Sequence, residues 1–148
     1  MSGEHDGGSV RQVAAGRSAD AQERELYARA LAAAARAYAP YSGFAVGATL
    51  LGGDGAAFDG VNVENACYPV GQCAERVALG AFVTAGGREL AAVAVASPGA
   101  DAAPCGACLQ ALAEFGDPRI VCRLGGEVRS APLSELLRLP FALRWGPA

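Results

Sequence analysis

The chain contains no lysine, and its twelve basic residues are all arginines spread thinly along 148 positions. With fifteen acidic residues, the formal net charge is −3. A phosphate-binding track for DNA or RNA needs clustered positive charge, so no nucleic acid is expected as a partner. Long hydrophobic runs are also missing. None approaches the ~18 residues of a membrane span, and the alanine-rich stretch ARALAAAARAYA is interrupted by Arg29 and Arg36. No membrane association is expected. The N-terminus MSGEHDGGSV lacks the apolar centre of a secretory signal, so a cytoplasmic location is expected. Histidine occurs once, as His5 in this polar stretch, where a ligand role would first require the segment to be ordered. Cysteine occurs five times, an odd count that reads poorly as a disulfide framework.

What is present points to a packed globule. At 52% hydrophobic residues, the chain can bury a core without covalent staples. Residues 1–20 are polar and glycine-rich and read as a mobile tail, leaving 21–148 as one domain. From Ala21 to Ala39 the spacing of Tyr27, Leu31, Ala34 and Tyr38 predicts a helix, capped by Asp20 and ended by Pro40. PYSGF is a turn, Phe44–Gly53 a strand, and Asp54-Gly55 a hairpin turn into the strand AAFDGVNV. The segment VENACYPVGQ is a loop. A second helix spans Cys73 to Ala85 and closes at Gly86-Gly87. The continuously apolar Ala91–Ser97 suggests a central strand buried on both faces. Pro104 fits the first turn of a third helix running to about Phe115. RIVCRL alternates as a strand, Gly125-Gly126 turns into EVRS, and APLSELLRL ends as a short helix. The order αββαβαββα indicates an α/β fold, a mixed sheet of about five strands flanked by helices.

The chemistry concentrates in PCGACLQAL, which carries Cys105 and Cys108. A C-x-x-C pair by itself admits three readings: a redox pair, packing, or metal ligands. Upstream, QCAER places Cys73 at another predicted helix N-terminus, with Glu75 and Arg76 just after it. If both helix starts face one point, three thiolates converge. Three protein ligands with one open position describe a catalytic zinc site, whereas a structural site normally uses four. Three thiolates around Zn²⁺ leave a charge of −1, which two helix N-termini and Arg76 beyond the ligands would offset. Glu75 lies where an acid–base group for a zinc-activated water is needed. Two other classes stay open. A structural zinc module would need a fourth ligand, with Cys67 the nearby candidate, and a dithiol oxidoreductase would use Cys105 and Cys108 alone.

Five segments in order, PYSGFAVGA, GVNVENACYP, QCAER, PCGAC and SELLRLPF, make the chain resemble the small, free-nucleoside cytidine deaminases over roughly residues 25 to 141. The C-A-E and P-C-x-x-C elements match the pattern known for zinc deaminases. The resemblance implies a three-layer α-β-α fold. It implies one Zn²⁺ per chain held by Cys73, Cys105 and Cys108, with Glu75 as proton shuttle. It further implies that Phe44 packs on the pyrimidine, Asn62 and Glu64 bind the ribose hydroxyls, and the backbone near Ala74 and Cys105 supplies donors. Family members form homotetramers with shared active sites, and Ala66, Tyr68 and Phe141 match positions lent to neighbours. The expected activity is deamination of cytidine or deoxycytidine in pyrimidine salvage. Two positions depart from the family pattern: Leu109 stands where arginine is usual, and Ala103 where serine is usual. Neither is a ligand or a proton carrier. They bear on subunit contacts and the substrate's sugar, and leave a deaminase of a modified cytosine nucleoside, such as a blasticidin-type antibiotic, as the alternative. Cys122 reads as core and Cys67 as packing.

Overall fold

In the computed structural model, which describes residues 16–143, one sheet separates two helical layers. The elements are β1 (Arg17–Ser18), α1 (Ala21–Ala34), β2 (Gly47–Gly52), β3 (Ala57–Val61), α2 (Ala74–Thr84), β4 (Leu90–Ala96), α3 (Gly106–Ala113), β5 (Arg119–Leu124), β6 (Glu127–Pro132) and α4 (Leu133–Leu136). A 3₁₀ turn at Tyr68–Val70 precedes α2. The sheet has six strands in the order β1-β6-β5-β4-β2-β3. Only β4 and β5 run parallel, and every other pair is antiparallel. The three-layer mixed fold is the expected one. The sixth strand corrects the count of five, because Arg17–Ser18 adds to the edge of β6. Of the tail expected over residues 1–20, Arg17 and Ser18 belong to the sheet, while residues 1–15, His5 among them, lie outside the described residues. Among the described residues no helix is long and apolar enough to cross a membrane.

The alternation of β4 explains the layers. Val93 and Val95 face the cluster that holds Ala74, Ala78 and Phe82 of α2 and Leu109 and Leu112 of α3. Ala92, Ala94 and Ala96 face Leu26, Tyr27 and Ala30 of α1. Six of the seven β4 residues are buried, as a two-faced central strand requires. Ile120 and Val121 on β5 divide between the layers in the same way, and Cys122 is buried as expected. Two glycines let the helices approach. A Cβ at Gly47 would lie 2.0 Å from the Ala30 carbonyl oxygen of α1, and one at Gly60 would lie 2.3 Å from the Ala78 nitrogen of α2. Gly60 therefore seats α2, and with it Cys73 and Glu75, directly on β3.

The first helix ends at Ala34, not Ala39. No residue in the alanine-rich run forces that stop. Instead the chain turns so that Tyr38 pairs by its backbone with Asn62 and Glu64, at 3.0 and 2.8 Å. The predicted stripe is consequently wrong at two positions: Leu31 and Tyr38 are exposed, and Leu26, Ala30 and Ala33 fill the buried face.

Asp20 and Glu23 form a capping box at the start of α1, and Glu23 extends it into the sheet. Its carboxylate accepts from Arg17 Nη1 at 2.8 Å and Nη2 at 3.0 Å, and from Ser130 Oγ at 2.7 Å. Arg119 donates to Ser130 at 3.0 and 2.8 Å. Burial by itself would raise the Glu23 value, but bonds from Ser130, the Asp20 N–H and Arg17 prevail and lower it from 4.5 to about 2. A depressed folded-state value means stability that is present above pH 4.5 and lost as pH falls through about 2. Glu23→Gln should therefore cost roughly 2–3 kcal/mol at neutral pH and flatten the acid limb of the stability curve. Urea unfolding of both proteins from pH 7 to pH 2 measures this, and identical acid limbs would refute the assignment.

Candidate metal centre and active-site cavity

Cys73 is the N-cap of α2, and Cys105 is the N-cap of α3. Cys108 follows in the first turn of α3, fully buried. The three sulfurs all lie within 4.8 Å of one another. Cys73 and Cys105 are exposed, so the group is closed on the protein side and open on the other. Cys67 is not part of the group. It is exposed in the loop before the 3₁₀ turn, contrary to the packing role expected for it.

The electrostatics of the group are those of sulfurs held together against their own repulsion. Burial, then Glu75 and the neighbouring sulfurs, push the Cys108 thiol far above its ordinary value. Burial likewise raises Cys73, with the charges of Glu75 and Cys105 adding to it. For Cys105 burial also acts upward, but the Cys108 and Ala107 N–H groups at the start of α3 prevail and lower it. Glu75 sits two residues beyond Cys73, 4% exposed. Burial raises its carboxyl above the ordinary value, opposed in part by its own N–H and by a hydrogen bond with Cys108.

These groups form one end of a cavity of about 360 Å³. Phe44, Asn62, Cys73, Ala74, Glu75 and Cys105 are among the residues that line it. Asp101, Ala102 and Ala103 complete one wall. The part played by Asp101 was not foreseen; the only signal was an acidic side chain in the loop that leads to Cys105. A larger hollow of about 540 Å³ lies beside α1. Its charged lining includes Arg17, Glu23, Arg29 and Arg119, all of which have protein partners. Among the described residues it holds no metal-ligating cluster, so chemistry and not size identifies the site.

The profile of the family described as the cytidine and deoxycytidylate deaminase zinc-binding region matches residues 20–124. The chain belongs to this family. It is 40% identical to the cytidine deaminase of Sporosarcina psychrophila over 122 residues, covering 80% of this chain and 90% of that protein. It is 43% identical over 119 residues to the cytidine deaminase of Mycobacterium tuberculosis, covering 80% and 88%. The crystal structure of the cytidine deaminase from Burkholderia pseudomallei superimposes with a TM-score of 0.74 at 44% identity, covering 80% of this chain and 98% of that one.

The residues fit the zinc that the family binds. Zinc–thiolate bonds of about 2.3 Å put tetrahedrally arranged sulfurs roughly 3.8 Å apart, within reach of the observed grouping. A divalent cation would also turn the mutual repulsion of the sulfurs into attraction. Three ligands without a fourth among the described residues match an open, catalytic position rather than a closed structural one.

Two of the expected site residues, Asn62 and Glu64, make hydrogen bonds to the chain around Phe44. Asn62 Oδ1 accepts from the Val46 N–H and its Nδ2 donates to the Phe44 carbonyl, both at 2.9 Å. Glu64 accepts from the Tyr41 and Ser42 N–H groups at 2.9 and 3.2 Å and from the Ser42 hydroxyl. Ser42 Oγ in turn accepts from the Phe44 N–H at 3.0 Å. Both side chains thus hold the turn that brings Phe44 to the cavity. Glu64, Ala66, Tyr68 and Phe141 do not line the cavity of their own chain. Arg76 is exposed and makes no hydrogen bond to a sulfur among the described residues.

Purified protein reconstituted with zinc should carry one ion per chain by elemental analysis. Cys73→Ser should reduce this to near zero. Full retention of zinc in that variant would exclude Cys73 as a ligand.

Proposed function

We propose that the chain is a zinc-dependent hydrolase that converts cytidine or deoxycytidine and water to uridine or deoxyuridine and ammonia. The observation that carries this reading is the buried Glu75 carboxyl, which lines the same open cavity as Cys73 and Cys105 of the three-sulfur group. When bound, zinc supplies a water activated near neutral pH. Glu75 is the proton carrier: it takes one proton from the attacking water and delivers it to ring N3 as the oxygen bonds to C4, then takes the remaining hydroxyl proton and delivers it to the amine, which leaves as ammonia when the C4–N bond breaks and the C4 carbonyl forms. Its burial beside Cys73 holds it within reach of a water at the open side of the group. Ala74 opens α2, where first-turn N–H groups lack partners within the helix and can donate to the pyrimidine carbonyl. Phe44 supplies an apolar face for the ring. Asn62 and Glu64 shape the sugar side by bracing the Phe44 turn, and their remaining lone pairs can meet sugar hydroxyls. Arg76 offsets the residual negative charge of the site.

A free nucleoside is favoured over a nucleotide or polynucleotide. The charged side chains among the described lining residues are Glu75 and Asp101, with no arginine, so the lining offers a 5′-phosphate no cation. Leu109, where the family pattern has arginine, is buried in the core against α2 and the sheet. Ala103 presents only a methyl group to the cavity. Neither adds a group that would recognise a modified base, so no separate antibiotic substrate is favoured. The reaction suits pyrimidine salvage by a cytoplasmic single-domain enzyme, consistent with five free cysteines.

Exposed apolar side chains support a homotetramer with shared sites. Tyr38, Tyr41, Val63, Tyr68 and Val70 are exposed on the turns around Phe44 and the loop before α2, and Leu139, Phe141 and Leu143 on the C-terminal arm. Such density on one small chain marks surface that associates. On this reading Ala66, Tyr68 and Phe141 serve a neighbouring copy's cavity.

Two measurements test these readings. Glu75→Gln should keep its zinc yet lose about 10²–10⁴-fold in deamination, followed by ultraviolet absorbance of cytidine and deoxycytidine; unchanged activity would end the mechanism. Light scattering should give a mass about four times 14.9 kDa, and Tyr68→Ser should lower it. A monomeric wild type would rule out shared sites.

A further inference from the structure

The loop from β4 to α3 carries a set of bonds that the proposed chemistry does not use. Asp101 Oδ1 accepts from Arg123 Nε at 2.9 Å and from the Gly126 N–H at 3.3 Å, and Oδ2 accepts from the Gly125 N–H at 2.5 Å. Gly125 and Gly126 both have positive φ, 61° and 81°, so their N–H groups converge on one side of the β5–β6 turn and form a small anion-binding concavity. Next to it, Ala102 pairs as an isolated bridge with Arg123. One carboxylate and one backbone bridge thus tie the loop to the end of β5.

The leverage of this tie on the metal group is large. Between the bridged Ala102 and the ligand Cys105 stand only Ala103 and Pro104. Proline fixes its own φ and restricts the residue before it, so the link is short and stiff. Ahead of the tie, the hydrogen bond that holds the loop among the described residues is that of its own turn, in which the Ala100 N–H donates to the Ser97 carbonyl at 3.5 Å. Asp101, Ala102 and Ala103 are at the same time a wall of the cavity. An exposed ion pair contributes little to global stability, and the Asp101 and Arg123 side chains are 41% and 27% exposed. The effect of the tie is therefore local order.

We infer that Asp101 is a positioning residue, which through Arg123 and the Gly125–Gly126 turn holds the loop that delivers Cys105 to the metal group and walls the cavity. The inference rests on the zinc reading above. It requires no contact between Asp101 and substrate, because the acceptors of its carboxylate are taken up by the turn and Arg123. Residues that orient metal ligands commonly change metal retention by 10–100-fold when removed.

The test is the rate of zinc release to a chromogenic chelator from Asp101→Ala, Arg123→Gln and the double variant, with melting of the zinc-free proteins alongside. Asp101→Ala should release zinc on the order of tenfold faster than wild type. Arg123→Gln, which alters no residue lining the cavity, should shift release in the same direction by more than about threefold, with the double variant no faster than Asp101→Ala, as expected for partners in one interaction. A smaller change in Arg123→Gln, or multiplication of the two effects in the double variant, overturns the inference. A lowered melting temperature with unchanged release also overturns it, since that is the signature of a cap for the hairpin alone. Should Asp101→Ala fail to fold, Arg123→Gln decides by the same threshold. A wild type that binds no zinc would refute the metal reading itself, which keeps the two failures apart.

Discussion

Three sulfurs are held within 4.8 Å of one another beside a buried carboxyl. Burial first, and then the charges of Glu75 and of the neighbouring sulfurs, oppose ionisation of Cys73 and Cys108. The fold tolerates the group because two helices begin at the same place and direct their N-terminal N–H groups there. Much of the architecture serves that convergence. The two-faced β4 gives α2 and α3 a common floor, and Gly60 lets α2 settle close enough for Cys73 to meet Cys105.

Around this centre, polar side chains act chiefly as scaffolding. Asn62 brackets the Phe44–Val46 segment, and Glu64 gathers the Tyr41–Ser42 turn. Asp101 does the same for the opposite wall. On the far face of the sheet, Glu23 joins the N-terminal strand, α1 and β6 through one carboxylate. In each case an acceptor with several lone pairs gathers backbone or guanidinium donors from separate segments.

The site was largely legible in the sequence because its parts are local. A cysteine or C-x-x-C at a helix start sets the direction of its sulfur within a few residues, and Glu75 is carried by the same turn as Cys73. The two-strand hairpin, the buried β4 and the Asp20 cap were legible for the same reason. The reach of α1 was not, because alanine favours helix equally before and after Ala34, and the stop comes from Tyr38 pairing with a segment 24 residues away in sequence. Strand β1 was hidden in a polar segment, because its partner β6 lies more than a hundred residues later. The outward position of Cys67 and the roles of Asn62 and Glu64 as braces likewise follow from neighbours that no local pattern announces.

Taken by itself, the sequence determined the elements, the donor atoms and their order along the chain, since helix starts, strand alternation and glycine turns are short-range consequences of backbone sterics and side-chain spacing. Whether two distant helix starts meet, whether a loop aspartate closes onto a glycine turn, and which hollow holds the chemistry were decided only by tertiary structure. Those outcomes depend on how whole layers pack across the sheet, where one missing Cβ at Gly60 counts for more than any residue near it in sequence.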